Sequence, residues 1–134
     1  MQKDFTQWNT KKIHLNEVKG TALFHEREVW WCSLGVNIGY EQDGESELFT
    51  RPVIVFKKFN LDACLVIPLT TKEKKGTYYF SIGDVSGRSA TAVLSQLRFV
   101  DRKRLVVKMA MLDGDTFEKL VDAVRKTCLP STPP

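Results

Sequence analysis

No run in this 134-residue chain comes near the ~20 apolar residues that cross a bilayer, so no membrane partner is expected. The opening stretch, MQKDFTQWNTKK, has neither the apolar centre nor the small-residue cleavage site of a secretion signal; a cytoplasmic protein is expected. Cysteine is scarce. Cys32, Cys64 and Cys128 are odd in number, widely spaced and free of any CxxC pair. That pattern argues against a disulfide framework or a zinc site, and no metal or cofactor is expected. Cys32 and Cys64 fall in apolar stretches and read as small buried hydrophobes. No histidine motif accompanies any of the three, which speaks against a cysteine nucleophile. Internal repeats and low-complexity linkers are absent too, so a single domain is expected.

What is present suits a globular fold. Hydrophobic residues make up 43% and charged residues 27%. A chain of this length buries roughly two thirds of its unfolded surface. The net charge of +4 permits a polyanionic partner without demanding one.

Residues 4–19 predict a helix with Phe5, Trp8, Lys12 and Leu15 near one stripe, Ile13 off it and Gly20 as its stop. Glu28–Gly35 (EVWWCSLG) predicts a strand. A second strand runs over Pro52–Phe59, its proline at the first position where no ladder donor is needed. A third covers Ala63–Leu69, and the short link at Asn60 suits a hairpin. Thr77–Gly83 predicts a fourth, and Ser89–Val100 contains a fifth. The second, third and fifth are dense in apolar residues, as strands buried on both faces are. Lys103–Leu112 fits strand or helix. Asp113 or Asp115 caps a last helix whose apolar face is Phe117, Leu120, Val121 and Val124. The pattern predicts a mainly β, α+β fold: a small antiparallel barrel or bent sheet with a helix at each end.

One arginine stands out. Arg51 follows an acidic stretch, DGESELFT, and stands just before the second strand. If that strand pairs with the third through the Asn60 turn, Arg51 and Thr70 become neighbours at one rim. Arginine offers a planar fork of donors suited to phosphate oxygens. Lys72, Lys74 and Lys75 add charge to the same rim. An arginine beside carboxylates is more often a solvated ion pair of little worth, and Thr-Thr-Lys after a strand is more often a turn. Strand ends do carry sites more often than cores.

The segments EVWWCSLGVNIGYEQ, TRPVIV, VIPLTTK and VLSQLRFVDRKRL, in that order, resemble the PemK/MazF family of toxins from type II toxin–antitoxin pairs. The resemblance runs from about Arg27 into the last helix. It leaves a helical extension over residues 1–26 and a tail over 130–134 expected to be disordered. It implies an SH3-like barrel that forms a homodimer. It also implies metal-independent, sequence-specific endoribonuclease action on single-stranded RNA, by 2′-OH attack to a 2′,3′-cyclic phosphate and a 5′-OH end. Arg51 and Thr70 take the catalytic positions. Glu41, Gln42, Phe49, Thr71, Lys72, Ser95, Gln96 and Arg98 fall to RNA binding. The partner is a cognate antitoxin, and DNA is met only through it. His25 is the histidine nearest the matching segment, but lone histidines are mostly not catalytic.

The acidic loop departs from the family, many of whose members go from Glu-Gln to Arg-Pro in a few residues. Phe49 either packs on a base or anchors the loop, with Glu45 and Glu47 biasing base entry; a flexible solvated loop is the alternative. Two other readings stand beside the nuclease: a non-catalytic SH3-like module that binds nucleic acid or peptide, and a degenerate relative kept for its partner. The presence of both Arg51 and Thr70 speaks against the latter.

Overall fold

The computed structural model describes residues 3–46 and 48–131. Helix α1 (Phe5–Glu17) is capped by the Asp4 carboxylate, which accepts from the Gln7 amide at 3.0 Å. Seven strands follow: β1 (Glu28–Ser33), β2 (Thr50–Lys58), β3 (Ala63–Thr70), β4 (Tyr79–Val85), β5 (Arg88–Val93), β6 (Arg98–Asp101) and β7 (Leu105–Met111). Helix α2 (Gly114–Cys128) closes the described chain.

All pairings are antiparallel, in the order β4-β5-β3-β2-β1-β7, with β6 also on β3. The result is a curled half-barrel with a helix near each end, an α+β fold as the pattern predicted. β3 is the hinge of the curl. One of its edges pairs with β2, while the other pairs with β6 over Ala63–Val66 and with β5 at Leu69 and Thr70.

The apolar density of the central strands has a direct cause: both faces are covered. Val29, Ile54, Ile67 and Leu69 face one core, closed by Leu120 and Val124 of α2 and by Ile82 and Val85 of β4. Trp30, Cys32, Val53, Val55, Cys64 and Val66 face a second, closed by Phe24, Val100 and Leu105. Alternation along each strand divides its side chains between the two.

Several boundaries differ from the sequence reading. The fifth run is not one strand. Between Val66 (opposite Arg98) and Leu69 (opposite Ala92), β3 uses three steps and its partner six. The surplus forms a 3-10 turn over Leu94–Gln96, so Ser95 and Gln96 sit in a turn rather than a strand. The ambiguous Lys103–Leu112 resolves into a 3-10 turn followed by β7. α1 ends at Glu17, short of Gly20, and of its expected stripe only Trp8 is fully buried. Asp113, not Asp115, caps α2, accepting from the Thr116 amide at 2.8 Å. The expected disorder of the tail falls, for residues 132–134, outside the described residues.

Candidate active site

Val53 of β2 lies opposite Pro68 of β3. Counting two residues outward along both antiparallel strands brings Arg51 level with Thr70 at the rim. Arg51 is only 8% exposed. Its guanidinium is gripped on every side. Nε donates to the Asp43 carbonyl at 2.7 Å, and Nη1 to the Leu69 carbonyl at 3.2 Å. Nη2 meets the Glu45 carboxylate at 3.1 Å. With the Gln42 side-chain amide in the orientation that satisfies both its oxygen and its nitrogen, the oxygen accepts from Nε at 3.1 Å and Nη2 at 3.0 Å. A planar cation held in this way cannot swing, which is the property required of a preorganised charge.

Thr70 is half-buried, and its hydroxyl oxygen accepts from the Lys72 amide at 3.2 Å. That bond uses a lone pair, so the hydroxyl proton is left to donate elsewhere. Arg51 and Thr70 together line two adjoining hollows. One, of about 290 Å³, has an apolar wall of Trp31, Pro52, Val85 and Met109, with Thr71, Ser86 and Arg88 at its edge. The other is polar, with Gln42, Lys72, Lys74 and Tyr79.

Gln42 also ties the rim to the 3-10 turn, its amide donating to Gln96 Oε1 at 3.1 Å. Gln96 in turn donates to the Tyr40 carbonyl at 3.2 Å. Glu41, Gln42, Ser95, Gln96 and Arg98 border a further groove beyond Gln42. Glu41 is exposed, and its carboxylate accepts from the Ile38 amide at 2.9 Å. Phe49 is turned inward, 7% exposed, with its ring centroid 5.7 Å from that of Trp8. That placement suits the anchoring role rather than base stacking. Glu47, named with Glu45 for base entry, lies outside the described residues. His25 stands next to Glu28, at the opposite end of β1 from Cys32, the residue that pairs with Arg51. It takes no part in the rim.

Burial pushes the Cys32 thiol up to about 12 and that of Cys64 up to about 11, so both stay protonated at neutral pH. Among the described residues, no three of His, Cys, Asp and Glu are grouped to hold a metal ion.

The family profile described as "PemK-like, MazF-like toxin of type II toxin-antitoxin system" matches residues 25–128. The chain belongs to this family. No curated protein matches it in sequence. In solved structures the fold of this PemK/MazF-family chain is similar to that of MazF from Deinococcus radiodurans, at TM-score 0.63 and 16% identity over 79% of this chain and 96% of that one. It is also similar to the Mycobacterium tuberculosis toxin MazF-mt6, at TM-score 0.59 and 13% identity over 76% and 96%. A mycobacterial endoribonuclease in complex with its cognate antitoxin gives TM-score 0.58 and 13% identity over 80% and 97%. At such identity the likeness establishes the fold.

Sequence reasoning misses two things here. Trp31 and Met109 stand in the apolar wall, although Trp31 is in plain view in the WWC stretch. Asp43 acts through its carbonyl, which no side-chain pattern signals. Glu45 on Arg51 is the ion pair that an arginine beside carboxylates suggests.

Proposed function

We propose that this PemK/MazF-family chain is the toxin of a type II pair and acts as a metal-independent, sequence-specific endoribonuclease on single-stranded RNA. The observation that carries the reading is the immobilised Arg51 guanidinium beside the Thr70 hydroxyl at the mouth of a cleft. During attack of a ribose 2′-OH on the adjoining phosphate, the 2′-O–P bond forms and the P–O5′ bond breaks. The 2′ proton leaves and a proton reaches O5′, giving a 2′,3′-cyclic phosphate and a 5′-OH. Negative charge grows on the phosphoryl oxygens throughout, and a fixed guanidinium stabilises that growth more than the ground state. Arg51 is a poor proton acceptor, because a guanidinium stays charged. Its role is charge stabilisation, with Thr70 donating to a phosphoryl oxygen and orienting it. The 2′-OH requirement selects RNA over DNA.

Lys72, Lys74 and Thr71 lead the backbone toward the site, and Trp31 offers a base a flat apolar surface. A partly acidic, disordered antitoxin tail suits the same basic rim. The protein works in the cytoplasm as a homodimer and meets DNA only through its antitoxin. The test is incubation with a long single-stranded RNA in EDTA, beside Arg51→Ala and Thr70→Ala. Discrete cuts ending in cyclic phosphate are expected, weakened about a hundredfold or more in Arg51→Ala. An intact RNA with the folded wild type would instead favour a binding module, a reading that the Glu45–Arg51 ion pair keeps in view.

A further inference from the structure

Helix α1 lies outside the family match at residues 25–128. It is weakly amphipathic: Phe5 is 49% and Ile13 54% exposed, and Trp8 alone is buried. Yet it is pinned at both ends: Lys103 Nζ, in the 3-10 turn before β7, donates to the Asn16 carbonyl at 2.9 Å, while the first half of the helix, with Lys3 just before it, is tied to residues 35–49. The Trp8 ring lies on Gly35, where an added Cβ would come within 1.9 Å of it, and against Phe49. The Arg104 guanidinium covers Trp8 at 5.6 Å. Lys3 Nζ reaches the Asp43 carboxylate at 3.0 Å and the Asn37 and Gly39 carbonyls at 2.6 and 3.0 Å. Lys11 donates to the Leu48 carbonyl. Asp43 is therefore held from both sides, by Lys3 on its carboxylate and by Arg51 on its carbonyl.

Glu45 is the odd member. Its side chain is 69% exposed, while that of its partner Arg51 is 10% exposed. It borders both hollows at the rim. Its backbone is fixed by a reciprocal pair with Thr50 at 2.8 and 3.2 Å, next to the Gly44 amide on the Gly35 carbonyl at 2.7 Å. A carboxylate on the outer Nη2 of a clamped arginine stands where a phosphate oxygen would bind, since both are oxyanions taken by the same fork. An ion pair with one exposed partner is weak and easily exchanged.

We propose that α1 is a clasp that holds residues 42–45 on Arg51, so that Glu45 fills the anion seat of the free protein and an incoming RNA phosphate must displace it. Trp8 and Lys3 are positioning residues in this scheme, and Glu45 is a built-in competitor. The inference rests on the nuclease reading for the identity of the anion, but the clasp itself is testable without RNA.

Two measurements decide it. The first is hydrogen exchange at residues 43–45 in the full chain. Trp8→Ala is expected to speed it at least tenfold while the β2–β3 amides stay protected, and Lys3→Ala to do so less. Unchanged exchange in both variants overturns the clasp. Lys3→Ala carries this arm should Trp8→Ala fail to fold. The second is binding of a fully 2′-O-methylated single-stranded RNA, which cannot be cut. Glu45→Gln is expected to tighten it about threefold to fivefold, the range of an exposed ion pair. Trp8→Ala is expected to tighten it in the wild-type background and to add nothing in the Glu45→Gln background, because both act through one contact. Equal effects of Trp8→Ala in the two backgrounds, or no tightening by Glu45→Gln, overturn the competitor role. Tighter binding in Glu45→Gln with no cleavage of unmodified RNA by any form overturns the nuclease reading alone.

Discussion

At the scale of single residues, the rim depends on shape as much as charge. Arg51 spends its planar donors on the Asp43 and Leu69 carbonyls and presents Nη2 outward. A lysine keeps the charge but is a compact point with rotatable donors, and it cannot hold both carbonyls while facing a phosphate. Arg51→Lys is therefore expected to lose nearly as much cleavage as Arg51→Ala, about a hundredfold. Single-turnover rates on one RNA would show it, and a drop of only a few-fold would mean that charge alone suffices. The cysteines obey a similar local logic. Cys32 and Cys64 are fully buried, with thiols pushed up to about 12 and about 11 by the loss of solvent around a thiolate. The thiolate is the reactive form. Iodoacetamide on the folded protein at pH 8 is expected to label Cys128, which is partly exposed, and to spare the other two. Mass mapping checks this, and labelling of Cys32 would contradict the packing.

At the scale of elements, β1 and β7 share a buried carboxylate. Glu28 accepts from the Trp30 indole at 3.0 Å and the His25 amide at 2.7 Å, and it pairs with Lys108 at 3.0 Å. Burial by itself would raise its pKa; the donors from Trp30, Lys108 and His25 outweigh that and hold it below the usual carboxylate range. A carboxyl with a depressed folded pKa stabilises the fold above its unfolded value, and loses that contribution as pH falls through the folded value. Glu28→Gln is expected to destabilise by about 1–3 kcal/mol at neutral pH. Thermal melts should show the gap to wild type closing below about pH 4, and a gap independent of pH would rule the carboxylate out as its cause. Elements also explain what could be read in advance. That Arg51 and the end of β3 meet was legible, because a short hairpin brings the two strand ends together; that Thr70 rather than Thr71 comes level with Arg51 was not, because it is set by a one-residue register shift between Val55 and Lys57 that no turn residue signals. The split of the fifth run was not, because the six steps of β5–β6 against three of β3 belong to a pairing between distant segments. Trp8 on Phe49 is of the same kind: nothing near either residue announces the other. The stripe around Trp8 suggested an amphipathic helix, but the ring serves a loop rather than a core.

At the scale of the whole molecule, charge links the rim to the clasp. The chain carries +4, and Lys72 and Lys74 stand beside the polar hollow. Each phosphate neutralised on a single strand releases counterions, and the logarithm of affinity falls with the logarithm of salt by about 0.7 per contact. Lys72→Ala is expected to flatten that slope by about 0.7 while weakening all RNA sequences alike, because a phosphate contact carries no base information. Glu45→Gln should act in the opposite sense. In the wild type, a phosphate that takes Nη2 sets free a carboxylate, which gathers cations as the phosphate sheds them, and the two changes cancel in part. With glutamine there is no carboxylate to release, so the slope steepens, by less than the ~0.7 that one phosphate contact carries on a single strand. Titrations of the uncuttable RNA across salt would separate the two. A Glu45→Gln line parallel to wild type would mean that the phosphate and the carboxylate never compete for Arg51. A steeper one would tie the acidic loop to the chemistry of the arginine it precedes.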